Sequence, residues 1–295
     1  MKINPLLNEI AKGQWAMSFE GFNFWAPIAQ QIIKGTIPQG NFEAGSLITY
    51  LFNGTQIRPN EEGIINAPKG TVAVVNMIGA LIKYGDWCTY GADEIVSALM
   101  AAERNPNVIG TVLYSDGPGG SVSAIAPFVE FGKMRTKPLV GLYDQCCSAN
   151  LYSLYGCRPD YVMAENDISA TIGSIGVVIS FADNRKALSE QGFTLHEIYA
   201  DESGDKNLAF KLALEGKYDK IKEEMLNPLA RKFQADVMNF RPNLKKDVPG
   251  VLTGKTFFTP EAIEIGFADG VGSLNTAIDM VIMLSESKSL YKSNV

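Results

Sequence analysis

A serine that follows an apolar run is the first candidate for chemistry in this chain. The segment Cys146-Cys-Ser-Ala-Asn150 comes after a predicted strand and opens a predicted helix, so Ser148 stands at a strand-to-helix turn. A serine at such an elbow is exposed, and the amide of the next residue, Ala149, can donate to an oxyanion. A serine that only caps a helix produces the same local sequence. The nucleophile hypothesis therefore needs a base, because a serine hydroxyl is a weak nucleophile on its own.

The candidate bases are few. The chain has a single histidine, His196, so a Ser-His-Asp triad or a Cys-His pair would have to use it. His196 lies within a predicted strand at residues 194–199, which favours a surface or sheet-edge position. Lys206 lies in the polar loop 200–207. Burial can lower the pKa of a lysine until it acts as a base, but a solvated loop lysine is the simpler interpretation, and local sequence leaves the choice open.

A second turn of small residues follows another predicted strand and precedes a predicted helix. It reads Gly117-Pro-Gly-Gly120. Consecutive glycines let a backbone approach a ligand, and free amides at a helix start favour an anion, so the turn is a candidate oxyanion hole. A tight turn without a ligand is the equally good alternative. The Gly-Lys-Ser/Thr ending of a phosphate-binding loop is absent.

Composition limits the classes of function. The net charge of -6 argues against nucleic acid as a partner, because phosphate binding needs a basic surface. No apolar run reaches 18 residues and the first 13 residues do not form a secretory signal, so we expect no membrane-spanning helix and a cytoplasmic location. The four cysteines match no zinc pattern and are expected to be buried and reduced. One histidine also excludes zinc hydrolysis through two or three histidines, and no metal or cofactor is expected.

Strand and helix patterns alternate along most of the chain, which indicates the α/β class. Strands are predicted at residues 71–79, 108–114, 139–143, 161–164, 175–181 and 194–199. Helices are predicted at residues 92–104, 123–134, 146–155, 184–191, 215–239, 260–265 and 275–284. Residues 1–68, which are rich in aromatics, are predicted to be an N-terminal helical region with an irregular arm. Residues 69–284 would form the main domain, and residues 285–295 a flexible polar tail.

Five stretches occur in an order that is typical of one family. They are Asp116-Gly-Pro-Gly-Gly120, Cys147-Ser-Ala-Asn-Leu-Tyr152, Thr171-Ile-Gly-Ser-Ile-Gly-Val177, Ile198-Tyr-Ala with Ser203-Gly-Asp-Lys206, and Leu252-Thr-Gly-Lys-Thr-Phe257 with Glu261-Ala-Ile-Glu-Ile-Gly-Phe-Ala-Asp269. Over residues 71–282 the chain resembles the signal peptide peptidase family. These are Ser-Lys serine peptidases that share the Clp protease/crotonase-like spiral of ββα units.

The resemblance implies a role for each matching residue. Ser148 would attack the peptide carbonyl, and Lys206 would take its proton and pass it to the leaving amine. The remaining assignments are the amides of Gly119, Gly120 and Ala149 as the oxyanion hole and Ser174 as a supporting residue that orients the lysine.

The chain also departs from the family pattern. Gly117 replaces a serine, and Ala149-Asn150 replaces Gly-Gly after the nucleophile. The segment between Ser148 and the lysine is longer than usual, which leaves Lys211 as the next candidate base. Cys147 is a minor rival nucleophile that is expected to point into the core.

Within the family the chain resembles the tailed-phage prohead proteases, which trim scaffold and capsid proteins during head assembly. A bacterial enzyme that degrades signal peptides, an inactive capsid-assembly protein and a crotonase-type acyl-CoA enzyme are the alternatives. The resemblance further implies a polypeptide substrate and a homo-oligomeric ring. Helix 215–239 and the N-terminal arm are the expected subunit contacts.

Overall fold

The structure is a computed structural model, and it describes residues 14–17, 46–61, 64–85, 89–181 and 183–293. It therefore leaves most of the N-terminal region outside the described residues, including Phe19, Phe22, Phe24 and Trp25 and the expected helical arm. Cys88 also lies outside them.

The main sheet is mixed, and its central strands are parallel. The strands of the described chain are β1 Gln14–Met17, β2 Ile48–Phe52, β3 Thr55–Gln56, β4 Thr71–Ile78, β5 Val108–Gly117, β6 Gly119–Ser121, β7 Leu139–Cys147, β8 Tyr161–Ala164, β9 Thr171–Gly173, β10 Val178–Ile179, β11 Thr256–Phe258 and β12 Gly270–Val271. The sheet order is β11-β9-β7-β5-β4-β2-β3, with β8 beside the first half of β7 and β12 beside β8. Strands β4, β5, β7, β8 and β9 run parallel, while β2 and β11 are antiparallel to their neighbours.

Helices cover this sheet. They are α1 Ala92–Arg104, α2 Ala126–Met134, α3 Ala149–Gly156, α4 Arg185–Glu190, α5 Leu208–Leu214, α6 Asp219–Ile221, α7 Asn227–Phe240, α8 Thr259–Ile265 and α9 Leu274–Ser293. The larger core joins α1, α2 and α3 to one face of the sheet, and Ala277, Ile278 and Val281 of α9 close the other face. Because both faces are buried, the central strands are apolar almost throughout, as β4 illustrates. The predicted α/β class is confirmed.

A second, smaller sheet lies beside the main one. It has the order β10-β1-β6, so the N-terminal strand β1 is its middle strand. Both pairings are antiparallel. Only β6 and β10 come from the part of the chain that carries the predicted site, whereas β1 arrives from the N-terminal region.

Several local predictions agree with the structure closely. The helix at 92–104 and the strand at 161–164 have the predicted bounds, and α8 ends at Gly266, which adopts φ 98° as a helix-ending glycine does. In the N-terminal region the prediction was wrong for the described residues: β1, β2 and β3 are strands, and β2 pairs with β4 in the main sheet.

Four other predictions needed correction. The predicted helix at 146–155 begins only at Ala149, because residues 146 and 147 still pair with β5 and β9. The predicted strand at 175–181 shrinks to Val178–Ile179, and β9 forms at Thr171–Gly173, where no strand was predicted. No strand forms at 194–199, because this stretch pairs with no strand of the described chain; Ile198 is 94% exposed there.

The long helix predicted at 215–239 starts later than predicted, at Asp219, and the helical run continues to Phe240. Gly216 at φ 78° follows α5, α6 starts at Asp219, and a π-helical turn at Lys222–Leu226 leads into α7. Pro228 lies just after this π-helical turn, whose altered hydrogen-bond pattern accommodates a residue without an N–H inside the helical run.

The last helix extends beyond its predicted end at residue 284. It continues to Ser293, so the tail is helical as far as that residue rather than irregular. Residues 285–293 contain neither Gly nor Pro to stop a helix, and the amine of Lys288 lies 3.2 Å from a carboxylate oxygen of Asp160.

The contact between α2 and α3 gives a test of this packing. A Cβ atom on Gly132 would overlap the carbonyl oxygen of Gly156, the last residue of α3. Gly132→Ala is therefore expected to lower the free energy of unfolding by about 1–3 kcal/mol, as overpacked cores do. Chemical denaturation measures this. The control is Gly204→Ala, where φ is -58° and no atom lies within 4 Å; it should change stability by less than about 0.5 kcal/mol.

Candidate active site

Ser148 occupies a sharp turn between β7 and α3. Its backbone has φ 52° and ψ -112°, a conformation that costs a residue with a side chain about 1–3 kcal/mol. Hydrogen bonds on both sides hold the turn: the Ser148 amide donates to the Gly173 carbonyl at 2.9 Å, and its carbonyl accepts from the Tyr152 amide at 2.9 Å. This geometry is that of a nucleophile elbow.

The elbow is covered, contrary to expectation. Ser148 is only 1% exposed, although a serine at such a turn was expected to face solvent. Its hydroxyl lies 3.5 Å from the carbonyl oxygen of Gly176, to which it can donate. The serine therefore has the backbone geometry of an elbow, while its hydroxyl is shielded from solvent.

The glycine turn ends β5 and forms β6, rather than leading directly into a helix. Gly119 adopts φ 115°, and a Cβ atom there would overlap the carbonyl oxygen of Ala16 in β1. A Cβ atom on Gly120 would overlap the backbone of Leu81 on its other side. These two positions need glycine because neighbouring backbones pass within contact distance.

Asn150 links this turn to the elbow. Its Oδ1 accepts the Gly119 amide at 2.9 Å, while its Nδ2 is buried and has no hydrogen-bond partner among the described residues. A Cβ atom on Gly117 would overlap Nδ2. The two departures from the family pattern, at positions 117 and 150, thus lie against each other, and the asparagine side chain fills space that the missing side chain at position 117 leaves.

This contact bears on the predicted oxyanion hole. The Gly119 amide is engaged by Asn150, so it must be released before it can donate to a substrate oxygen. Ala149 is fully buried as the first residue of α3, where backbone amides have no acceptor within the helix. Sequence reasoning noted Asn150 only as a departure. Its role required knowledge that residues 119 and 150 are neighbours.

Neither candidate lysine is hydrogen-bonded to the serine. Lys206 is exposed in the loop after the 3-10 turn Asp201–Ser203, and its amine makes no hydrogen bond or ion pair within the described part of the chain. The amine of Lys211 lies 3.7 Å from the ring centre of Tyr199.

The structure also shows where the other candidate residues from the sequence lie. Ser174 is half-buried at φ 57°, and its amide donates to the Lys255 carbonyl at 2.9 Å. His196 is an exposed residue of the irregular stretch before α5. Cys147 is 1% exposed, as expected for a side chain turned into the core. The described cysteines, 146, 147 and 157, are all buried and form no disulfide.

Acidic side chains gather at the carboxyl ends of β5, β7 and β8. Burial, followed by the charges of Asp144 and Glu165, raises the pKa of Asp116. The Tyr114 hydroxyl donates to Glu165 at 2.7 Å, and Asp144 accepts from the Asn166 side chain at 3.1 Å. The described residues include no group of His, Cys, Asp or Glu that could hold a metal.

This arrangement predicts a pH effect. The folded protein holds the Asp116 proton more tightly than the unfolded chain does, so stability falls as the pH rises through the interval between the two pKa values. Asp116→Asn should therefore raise the free energy of unfolding at pH 7, by less than about 1 kcal/mol because the site is half-solvated. This gain in the free energy of unfolding should vanish at pH values below the pKa that Asp116 has in the unfolded chain. Denaturation at several pH values measures it, with exposed Asp247→Asn as the control; a loss of stability at pH 7 would contradict it.

No helix in the described part of the chain is long and apolar enough to cross a membrane. No curated protein matches the chain in sequence.

A serine at a strained strand-to-helix elbow, next to a glycine turn, in an α/β fold is an arrangement that serves acyl transfer. The model of peptidase family S49 matches residues 133–287, more than half of the chain. The chain belongs to peptidase family S49. It is therefore a serine peptidase of mixed α/β fold, and its substrate is a polypeptide.

Solved structures that resemble the chain include two of a membrane-bound stomatin-specific protease, 1510-N. A lysine-to-alanine mutant in complex with a substrate peptide is 13% identical, with a TM-score of 0.44 over 72% of this chain and 78% of that one. A serine-to-alanine mutant is 12% identical, with a TM-score of 0.45 over 72% and 84%. An enoyl-CoA hydratase/isomerase family member is 16% identical, with a TM-score of 0.37 over 73% and 71%.

Proposed function

We propose that the protein is an endopeptidase in which Ser148 is the nucleophile and Lys206 the general base. The observation that carries the proposal is the elbow geometry of Ser148 within the segment that matches the S49 family. The same segment contains Lys206, and the single histidine of the chain is exposed in an irregular stretch.

The proposed reaction has two steps. The Ser148 hydroxyl attacks the peptide carbonyl and Lys206 takes its proton, and the same proton then goes to the leaving amine as the C–N bond breaks. Water hydrolyses the acyl-serine in the second step. The amides of Gly119, Gly120 and Ala149 stabilise the oxyanion, and Ser174 orients the lysine.

Two rearrangements accompany this reaction. The Gly119 amide exchanges its bond to Asn150 for one to the substrate oxygen. Lys206 moves from solvent to the serine, since a lysine base must be neutral and burial favours the neutral form. Assembly of the chain into a homo-oligomeric ring supplies such burial, and the exposed apolar side chains of Phe193, Leu195 and Ile198 suit a subunit contact near this loop.

For the physiological role we propose cleavage of scaffold or capsid proteins during phage head assembly, in the host cytoplasm. The support is the resemblance of the motifs and of the N-terminal region to tailed-phage prohead proteases. The test is to incubate the protein with scaffold, capsid protein and signal peptides in parallel. Preferential cleavage of scaffold or capsid protein supports the role, whereas cleavage of signal peptides alone favours the bacterial alternative.

An inactive capsid-assembly protein is the second candidate. Two observations favour it: the Gly119 amide is bonded to Asn150, and Lys206 is exposed and makes no hydrogen bond to Ser148. The absence of Ser148-dependent cleavage of casein, scaffold and capsid protein by the assembled protein, together with retained binding to capsid protein, would favour this candidate over the peptidase.

A further inference from the structure

The middle strand of the small sheet, β1, is short for a strand that pairs on both sides. Strand β1 has only four residues, yet it is paired on both sides, with β6 and with β10. Strands β6 and β10 do not pair with each other. Removal of β1 would therefore leave two facing strand edges separated by the width of one strand.

Strand β6 and the residues that lead into β10 both contact the elbow region. The Gly119 amide in β6 donates to Asn150, two residues after the nucleophile. The Gly176 carbonyl, two residues before β10, lies against the Ser148 hydroxyl. Strand β1 itself contacts α3, the helix that the elbow begins. These contacts place β1 along the candidate active site.

The register of β1 is fixed by backbone pairing and by one buried side chain. Ala16 lies opposite Gly120 and Met17 opposite Gly119, while Trp15 lies opposite Ser121 on one side and Val178 on the other. Ala16 is 1% exposed, and its carbonyl oxygen lies where a Cβ atom on Gly119 would stand. The Ala16 side chain is therefore enclosed, and a much larger side chain would have to displace its neighbours.

We propose that Gln14–Met17 occupies the polypeptide-binding groove of the enzyme as a built-in, substrate-like strand, so that this conformation is autoinhibited. The groove accepts an extended polypeptide whose backbone pairs with β6 and β10 and whose side chain at the Ala16 position is small. The inhibition of cleavage by β1 rests on the proposed peptidase function. The exchange of β1 for another polypeptide is a binding event, which can be measured without cleavage. Addition of a strand between two edges supplies main-chain hydrogen bonds whatever the sequence, and side-chain pockets supply the selectivity.

The burial of Ser148 agrees with an occupied groove. A nucleophile that is 1% exposed cannot meet a peptide carbonyl until a covering segment leaves. Because β1 is part of the same chain, its effective concentration at the groove is high, and a substrate supplied in solution competes poorly until β1 is displaced.

The first test measures binding in a chain that cannot cleave. The probe is a fluorescent peptide with the sequence of residues 12–20, added to full-length Ser148→Ala protein with and without Ala16→Pro. Proline removes the amide of residue 16 and so weakens the pairing of β1 with its neighbours. We expect the double variant to bind the probe at least about tenfold more tightly. Equal Kd values would overturn the proposal.

Two further measurements sharpen this result. Gln56→Pro in the Ser148→Ala chain is the matched control, because it places proline in the remote edge strand β3, and it should bind the probe like the parent. A probe with tryptophan in place of the alanine should bind at least about tenfold more weakly; equal binding would overturn the small-residue subsite. Met17→Pro replaces Ala16→Pro if circular dichroism shows the latter unfolded.

The second test measures casein cleavage by chains that retain Ser148. Ala16→Pro should raise kcat/KM several-fold and Gln56→Pro should not. An unchanged kcat/KM in Ala16→Pro, with Ser148-dependent cleavage present, would overturn autoinhibition while the peptidase function stands. If no variant cleaves, the proposed function fails, and the comparison of Kd values still decides whether β1 occupies a peptide-binding groove.

Discussion

Replacing Ser148 with alanine is expected to lower kcat for polypeptide cleavage by about 10⁴- to 10⁶-fold while leaving the fold intact. The alanine removes the attacking oxygen, and Cys147, the last residue of β7, does not occupy the elbow position. Alanine suits the strained backbone no worse than serine does, so stability should change little. The measurement is steady-state cleavage of casein or of the identified substrate, with a melting curve for each variant.

A second serine on the same helix is the control. Ser153 is fully buried in α3, and its Oγ has no hydrogen-bond partner among the described residues. Because the alanine variant loses no hydrogen bond there, Ser153→Ala should keep the wild-type kcat within about twofold and the stability within about 1 kcal/mol. Cleavage by Ser148→Ala within tenfold of wild type would rule out Ser148 as the nucleophile.

Removing the amine of Lys206 is expected to have the next largest effect. We expect Lys206→Ala to lower kcat by about 10³-fold or more, because general-base catalysis and nucleophile activation are lost together. Lys206→Arg should not restore cleavage, since a guanidinium stays protonated and cannot accept the serine proton. KM should change less than kcat if the lysine acts only in the chemical step.

Lys211→Ala is the matched control for the lysine. Its amine packs on Tyr199, so the variant should lose a little stability and retain cleavage. Loss of cleavage in Lys211→Ala together with normal cleavage in Lys206→Ala would transfer the role of base to Lys211. Normal cleavage in both would overturn the Ser-Lys mechanism.

The local elements of the fold were largely predictable. Helix α1 and strand β8 have the predicted bounds, because their apolar spacing and the stop at Asn105-Pro106 act over a few residues. The predictions were wrong where the formation of a strand depended on its pairing with distant strands. Strand β9 forms because it lies between β7 and β11, and residues 194–199 form no strand because they lack such neighbours in the described chain.

The sequence by itself determined the class of the protein. The order of five short motifs identified the family, and the strand-to-helix pattern around Ser148 placed the candidate nucleophile at a turn. Each motif, like the pattern around Ser148, consists of residues that are close together in the chain. The single histidine likewise reduced the choice of bases, because every triad or Cys-His mechanism would have to use His196.

Only the tertiary structure decided how this site is arranged. The bond from Gly119 to Asn150 joins residues 31 positions apart, and β1 meets β6 across more than a hundred residues. Such contacts depend on how the sheet closes around the elbow, and no local spacing encodes them. For the same reason the sequence predicted an exposed serine, whereas the folded chain covers Ser148 and leaves Lys206 in solvent.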